Sequence, residues 1–172
     1  MNDNPQTVTI HKARKEDAEA IAQLAADLAA HEADETLCTE DSIKRLLKRK
    51  GEPKCHCIVA KLEERIVGFA LYYAGYDLSS DSYGFHLADI CVREVFRKQG
   101  IGKMMLGHIA KQAEDEKREW ISLTTLTNNK EAQGFYMSLG FTLVEVNFNA
   151  AGSSTLERLK EALVPRKKTM EP

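Results

Sequence analysis

The sequence has no long apolar run and no excess of positive charge, and each shortage excludes a class of protein. No stretch approaches the roughly 20 apolar residues of a membrane-spanning helix, and Met1–Thr7 is polar, without the apolar segment of a signal peptide. Lys plus Arg number 24 and Asp plus Glu number 26, so the formal net charge is −2. Because the sequence shows neither a membrane-spanning segment nor a signal peptide, we expect a soluble, cytoplasmic protein. Because it has no net positive charge to attract nucleic acid or an anionic membrane, we expect neither as a partner.

Cysteine is also scarce. Four cysteines are too few for a disulfide scaffold in a chain of 172 residues, so we expect reduced thiols. The grouping Cys55-His56-Cys57 has some metal-ligand character. In an alternating strand, however, the two cysteines lie on one face and His56 on the other, and no second pair of ligands is near in sequence. The sequence therefore predicts no metal site.

What is present is the composition of an ordinary globular protein, with 43% hydrophobic and 29% charged residues. The length favours a single domain over residues 1–172, with a short mobile tail from about residue 165.

Apolar spacing predicts a strand, two helices and three further strands in the first part of the chain. Thr39 is the expected cap of the second helix and Gly51 its end. The basic residues of that helix are interpreted as a solvated face near its C-terminus and not as a nucleic-acid patch. The predicted segments are strand Thr7–Lys12, helix Lys15–Ala30, a helix after Thr39, strands Cys55–Lys61 and Ile66–Tyr76 as a hairpin, and strand Tyr83–Val92.

The second part predicts a turn at Arg93–Gly102, then helix, strand, helix and strand. The segments are a helix with Ile101, Met105, Ile109 and Ala113 on one face, strand Trp120–Thr125, helix Lys130–Leu139 ended by Gly140, and strand Phe141–Phe148, whose alternation is imperfect. After Gly152, leucines suit a helix, but a strand near Ser154–Arg158 fits as well. This order predicts an α/β fold with a mixed, mostly antiparallel sheet flanked by helices.

The residues most informative about chemistry follow the strand that ends at Val92. The segment from Arg97 to Gly102 reads Arg-Lys-Gln-Gly-Ile-Gly, and a helix is predicted to start at the second glycine. Glycines let the backbone approach a ligand closely, and free N–H groups with the positive end of the helix dipole favour a phosphate or pyrophosphate. Neither a Walker loop nor a dinucleotide fingerprint is present around it.

A second motif lies about thirty residues further on and contains Asn129, Ala132, Phe135-Tyr136 and Gly140-Phe141. In this order and separation, the two motifs resemble those of the GNAT superfamily of acetyl-CoA-dependent N-acetyltransferases. The chain looks most like the diamine (spermidine/spermine) and thialysine acetyltransferase branch. The cues for that branch are His31-Glu32, Cys57–Ala60, Ile66–Tyr73, Tyr76-Asp77 and Asp89–Gly102.

The resemblance implies a GNAT fold and a site for acetyl-CoA. Backbone groups around Cys91 would contact the pantetheine arm, a loop and helix start would cradle the pyrophosphate, and Asn129 would hold the cofactor from its far side. Tyr136 sits where the family places the general acid for the departing thiolate; a packing tyrosine beside Phe135 is the alternative. The implied cofactor-binding residues are Ile90, Cys91, Val92, Arg97, Lys98, Gln99, Gly100, Ile101, Gly102, Lys103 and Asn129.

The acceptor side departs from the family at Ala88, where many relatives carry the acidic residue that takes the proton through water. In a regular strand Asp89 points to the opposite side from Ala88, whereas His86 shares the side of Ala88. His86 or Asp77 could substitute as the base, and a structural histidine is the alternative. The resemblance places His31, Glu32, Asp77, His86 and Asp89 around the acceptor.

These observations predict transfer of acetyl from acetyl-CoA to a primary amine of a small cationic molecule, by direct attack in a ternary complex. Cys91 lacks a recognisable base partner, which argues against an acetyl-cysteine route. The alternatives are a protein N-acetyltransferase and a non-catalytic acyl-CoA-binding sensor. The family resemblance also implies a homodimer.

Overall fold

A computed structural model describes residues 7–32, 34–48, 55–146, 149–150 and 152–161. Two compact units divide the chain, Met1–Asn128 and Asn129–Pro172, and the sheet belongs to the first. None of the helices in the described ranges has the length and apolar character needed to cross a bilayer. The predicted mobile tail and the predicted helix end at Gly51 lie outside the described residues.

Five strands form one sheet in the order β1-β2-β3-β4-β5. Neighbours are antiparallel except β4 and β5, which are parallel, so the predicted mixed, mostly antiparallel α/β architecture is confirmed. The strands are β1 (Val8–Lys12), β2 (Cys55–Leu62), β3 (Arg65–Asp77), β4 (Ser82–Val92) and β5 (Trp120–Leu123). The helices are α1 (Ala18–His31), α2 (Glu40–Lys48), α3 (Ile101–Asp115), α4 (Lys130–Ser138) and α5 (Ser153–Glu161), with 3-10 turns at Lys15–Asp17 and Glu94–Phe96.

Side-chain hydrogen bonds close the 3-10 turn before α1 and cap the start of α2. The backbone N–H of Arg14 donates to the Asp17 carboxylate at 2.7 Å, which closes the 3-10 turn that leads into α1. Thr39 accepts from the backbone N–H of Ser42 at 3.2 Å, so the predicted cap of α2 is confirmed.

Helices cover the sheet from both sides. On one side, which we call the α1 face, Ile21 and Leu24 of α1 pack in one cluster with Phe69 and Cys91. On the other, the α3 face, the Tyr72 hydroxyl donates to Gln112 of α3. The predicted buried face of α3 is confirmed, since Ile101, Met105, Ile109 and Ala113 are all buried.

A bulge in β4 interrupts the regular alternation of its side chains between the two faces of the sheet. Leu71 of β3 pairs with Asp89, but the next residue, Tyr72, pairs with Leu87, so Ala88 is an extra residue in β4. A bulge of this kind bends and twists its strand and changes the alternation of side chains. As a result, residues of β4 on either side of Ala88 do not follow simple period-two counting.

The C-terminal part differs from the sequence prediction. The predicted strand Phe141–Phe148 is wrong for its described residues: 141–146 form no strand, and 147–148 are not described. Leu143, Val144 and Val146 are all exposed, so the segment has no buried face to select a strand. After Gly152 the helical alternative is correct, because α5 spans Ser153–Glu161.

The indole of Trp120 lies across two glycines of the sheet. Gly84 pairs with both Gly75 and Trp120, and a Cβ at Gly84 would stand 1.9 Å from an indole carbon. At Gly75 the corresponding distance to the indole is 2.9 Å. The indole N–H donates to the Ser82 carbonyl at 3.4 Å, which sets the orientation of the ring.

We expect Gly84→Ala to destabilise the protein by about 1–3 kcal/mol, because the added methyl group overlaps the indole and forces it off the sheet. Urea unfolding measures the change in free energy. The matched control is Gly107→Ala, since Gly107 is helical and a Cβ added there would meet open space. A wild-type unfolding free energy for Gly84→Ala would contradict the arrangement described for Trp120.

Candidate active site

The C-terminal end of β4 extends beyond β5, the strand that runs parallel to it. Among the described residues, β5 pairs only with Gly84–Leu87 of β4. Strand β3 continues to pair with β4 as far as Val92. Between Ala88 and Val92 the edge of β4 away from β3 therefore presents backbone groups that an extended ligand can use, and this stretch contains Ile90, Cys91 and Val92.

The loop after β4 is fastened to the sheet at two points. The backbone N–H of Arg93 donates to the Val67 carbonyl at 2.8 Å. Arg97 Nε donates to the Val92 carbonyl at 3.0 Å. The predicted ligand residue Arg97 thus holds the loop in place, which the sequence motif did not indicate.

The start of α3 is open to an anion. Gly100 has φ +81°, a left-handed conformation that glycine adopts without strain, and Lys98 has φ +61°. The helix begins at Ile101, one residue before the predicted start. Its first internal hydrogen bond joins Met104 N–H to the Gly100 carbonyl, so the amides of Gly102 and Lys103 precede the intrahelical ladder.

Charge around this helix start is favourable for phosphate. The first turn of α3, described in full, contains no acidic side chain, and Lys103 is exposed at its edge. Gln99 is exposed and donates to the Val95 carbonyl at 3.3 Å, within the loop. Free amides, the helix dipole and a lysine together form the kind of site that binds a phosphate or pyrophosphate.

Cys91 is unsuited to act as a nucleophile. It is 4% exposed and packs in the core cluster on the α1 face. Burial raises the pKa of the Cys91 thiol, with a smaller opposing effect from Arg97. A thiol held protonated is a poor nucleophile, in agreement with the expectation that no acetyl-cysteine forms.

Two predicted site residues lie in the second unit. Asn129 is the N-cap of α4, where its side-chain oxygen accepts from the Ala132 N–H at 3.0 Å. Tyr136 is 8% exposed, with its ring centroid 5.2 Å from that of Phe135 and 5.6 Å from that of Phe141. The aromatic contacts fix the Tyr136 ring. The capping role of Asn129 was not among the sequence predictions, although an Asn directly before a helix signals it.

The α1 face carries a row of polar and aromatic side chains beyond the part that packs on α1. Asp89 lies opposite Leu71, and His86 lies opposite Tyr73, two residues further along β3. Both residues therefore share the α1 face. The expectation that they point to opposite sides was wrong, because it assumed a regular strand and the bulge at Ala88 adds one residue between them.

Asp89 is the charged member of this row nearest to the bulge. Among the described residues its carboxylate has no hydrogen-bond or ion-pair partner, and burial raises its pKa. A carboxylate in this condition accepts a proton more readily than an exposed aspartate. It also gains a partner when a cation binds beside it.

His86 is held by strand β5. Its Nδ1 lies 3.0 Å from the Ser122 hydroxyl, and its ring centroid is 5.1 Å from that of Tyr73. Burial lowers the pKa of His86, which favours the neutral imidazole. We call Asp89, Tyr73, His86, Ser122 and Trp120 the polar strip.

The remaining predicted acceptor residues are spread over the first unit. His31 ends α1 and Glu32 follows it, and both are exposed. Asp77 ends β3 on the α1 face, where its carboxylate accepts from Ser79 N–H at 3.0 Å and from the Ser80 hydroxyl at 2.8 Å. These bonds lower the pKa of Asp77, so it is ionised but engaged in the turn.

A family model described as the Acetyltransferase (GNAT) family matches residues 18–141. The chain belongs to the GNAT acetyltransferase family. It is an acetyl-transferring enzyme, and the sequence resemblance is confirmed. The matched segment contains the open edge of β4, the start of α3 and Tyr136.

Sequence relatives point to the same family. Thialysine N-epsilon-acetyltransferase of Bos taurus is 31% identical over 144 residues, covering 77% of this chain and 83% of that protein. L-ornithine N5-acetyltransferase of Arabidopsis thaliana is 36% identical over 84 residues, covering 46% of this chain and 36% of that protein.

Solved structures share the GNAT fold. A chain described as a transcriptional regulator from Bacillus halodurans C-125 has a TM-score of 0.72 and 24% identity, covering 85% of this chain and all of that one. An aminoglycoside acetyltransferase from an uncultured soil sample, in complex with sisomicin, has a TM-score of 0.69 and 19% identity over 85% of this chain and 97% of that one. At these identities the structures show the fold alone.

Proposed function

We propose that the enzyme transfers acetyl from acetyl-CoA to a primary amine of a small cationic molecule, by direct attack in a ternary complex. Family membership supports the acetyl transfer. The observation that carries the choice of acceptor is Asp89, a partly buried carboxylate on the α1 face that has no protein partner among the described residues. The thialysine and ornithine acetyltransferases among its relatives support an amine of this class.

Acetyl-CoA fits the residues around β4 and α3. In this proposal the edge of β4 from Ile90 to Val92, which β5 does not cover, contacts the pantetheine arm, and the segment from Arg97 to Lys103 holds the pyrophosphate. The open space around Gly100 supports the pyrophosphate site. A Cβ added at Gly100 would meet no atom within 4 Å, so the start of α3 is accessible to a ligand. Asn129 is also proposed to contact the cofactor, the role that the family resemblance implies for it. When bound, acetyl-CoA supplies an activated thioester.

The acceptor must lose a proton before it can attack. A primary amine has a pKa near 10.4, so only about one molecule in a few thousand is neutral at pH 7. In this proposal Asp89 receives that proton, directly or through water, and so fulfils the role of the acidic residue that is absent at Ala88. Its burial favours proton uptake, and it lies directly next to the bulge.

The transfer also needs a donor for the departing sulfur. As the amine nitrogen bonds to the acetyl carbon and the carbon–sulfur bond breaks, the sulfur gains a negative charge that requires a proton. We assign this proton to the Tyr136 hydroxyl. Backbone N–H groups near Val92 would stabilise the negative charge on the acetyl oxygen.

We expect a preference for dicationic amines over neutral or anionic ones, because Asp89, Asp77 and Glu32 provide only negative charge to the acceptor. Specificity constants for putrescine, spermidine, thialysine, a histone-tail peptide and an aminoglycoside, compared with a simple alkylamine, measure it. Asp89→Asn should lower kcat/KM for the preferred dication by about tenfold or more, since the variant loses the proposed proton acceptor as well as a charged hydrogen bond worth roughly 1.5–3 kcal/mol.

Glu32→Gln and Asp77→Asn are the comparison variants, and smaller losses are expected because Glu32 is exposed and Asp77 is engaged in its turn. A peptide that is the best substrate and is insensitive to all three changes would replace the proposal with a protein N-acetyltransferase. Absence of thiol release with every amine, despite acetyl-CoA binding, would indicate an acyl-CoA sensor.

The quaternary structure and location are part of the same proposal. We place the enzyme in the cytoplasm as a homodimer, the assembly that the family resemblance implies.

A further inference from the structure

Trp120 occupies a position on the α1 face that neither the family motifs nor the cofactor site explains. It is the single tryptophan of the chain, it is partly exposed, and its indole lies flat over Gly84 and Gly75. The hydrogen bond from its N–H to the Ser82 carbonyl keeps the ring in this orientation. A fixed, flat indole offers one aromatic face to whatever lies above the sheet.

The indole lies at one end of the polar strip, and Asp89 lies at the other. On β3, residues Leu71, Tyr73 and Gly75 alternate onto the α1 face, and they pair in turn with Asp89, His86 and Gly84. Steps of two residues along a strand measure about 6.6 Å. The Asp89 carboxylate and the indole are therefore separated by roughly 13 Å of strand, with His86 and Ser122 between them.

The charges along the polar strip favour a bound cation at the end that carries Trp120. Asp77 lies one further step beyond Gly75 on the same face, and its hydrogen bonds keep it ionised. His86 between the two ends favours its neutral form. Thus the indole lies between the carboxylates of Asp89 and Asp77. All residues of strands β3, β4 and β5 are described, and none of them places a lysine or arginine on this part of the α1 face.

We propose that Trp120 is a specificity-determining residue that binds the distal ammonium group of a long diamine or polyamine acceptor against its indole face. The inference rests on the proposed function, and it adds a second recognition point to Asp89. A cation above an indole is attracted by the negative face of the ring, and the interaction strengthens as water is excluded. The reacting amine lies at the Asp89 end, and the alkyl chain runs along Tyr73 and His86.

The test compares α,ω-diamines of three to eight carbons with n-alkylamines of equal length, using wild type, Trp120→Phe and Trp120→Leu. In Trp120→Leu the ratio of kcat/KM for a long diamine to that for its matched monoamine should fall about 3- to 30-fold. Trp120→Phe should retain much of the ratio. For the shortest diamine the ratio should change little, since its second ammonium does not reach the indole.

This readout separates recognition from packing. Loss of packing lowers the rates for a diamine and its matched monoamine together, so their ratio stays constant, and that result would overturn the proposal for Trp120. The matched control is Tyr83→Leu, which removes an exposed aromatic ring in edge-to-face contact with Tyr76 on the α3 face. Its ratio should equal that of wild type.

Fluorinated tryptophans provide a second test that leaves the fold intact. Successive fluorine atoms weaken the negative face of the indole while nearly preserving its shape, so log kcat/KM for a long diamine should decline with each fluorine and that for the monoamine should not. Equal responses of both substrates would contradict a cation site at Trp120. If wild type acetylates no amine at all, the proposed function itself fails, a result distinct from an unchanged ratio.

Discussion

Replacing Tyr136 by phenylalanine should lower the turnover number for acetyl transfer by about two to four orders of magnitude, the usual contribution of a positioned general acid. Phenylalanine keeps the ring that contacts Phe135 and Phe141, and removes only the hydroxyl. The proton for the departing sulfur then has to come from water. Steady-state kinetics at saturating acetyl-CoA and amine measure the loss.

Two controls make the result specific to proton donation. Acetyl-CoA affinity, measured by calorimetry, should change little in Tyr136→Phe, because the defect lies in the chemical step. Tyr83→Phe removes an exposed hydroxyl elsewhere and should leave turnover as in wild type. If Tyr136→Phe turns over at the wild-type rate, Tyr136 is a packing residue and the proton comes from another donor.

Replacing Gly100 by valine should weaken acetyl-CoA binding about 100-fold, equivalent to roughly 2.7 kcal/mol. At φ +81° a β-branched side chain is strongly disfavoured, so the turn before α3 must rearrange. The amides of Gly102 and Lys103 then lose the direction that suits a pyrophosphate. The fold should persist, because no atom lies within 4 Å of the added Cβ.

Gly100→Asn tests the cause of that loss. Asparagine tolerates the left-handed conformation, so this variant should bind acetyl-CoA more tightly than Gly100→Val if backbone geometry is decisive. Equal losses in both variants would instead indicate that the ligand passes too close for any side chain. Calorimetry on variants with wild-type circular dichroism decides between these cases. Wild-type affinity for Gly100→Val would remove Gly100 from the cofactor site.

Local signals in the sequence are enough to predict most of the first unit. The β2–β3 hairpin follows from two apolar segments around a charged turn, and α3 follows from four apolar residues on one helical face. The segment after Phe141 could not be predicted in the same way. Its apolar residues alternate poorly, and only a partner strand or a buried face would decide between strand and coil, which is tertiary information.

The candidate site likewise has one part that the sequence predicts and one part that it does not. The loop from Arg97 to Gly102 is contiguous, so its spacing alone indicates a helix start suited to phosphate. The polar strip is assembled from three strands, and period-two counting misplaces Asp89 relative to His86 because nothing in the sequence around Ala88 signals a bulge. The position of Trp120 could not be predicted for a related reason, since it depends on glycines some forty residues away.

The extra residue in β4 has a consequence for how this enzyme could evolve. Leu71 pairs with Asp89 and Tyr72 with Leu87, so loss of the codon for Ala88 would leave every other side chain of the strand on its present face. Such a deletion would straighten the strand and restore an unbroken ladder, without reordering the residues of the polar strip. The curvature of the strand and the side chains of the polar strip can therefore vary independently between lineages, the first by gain or loss of one codon and the second by substitution.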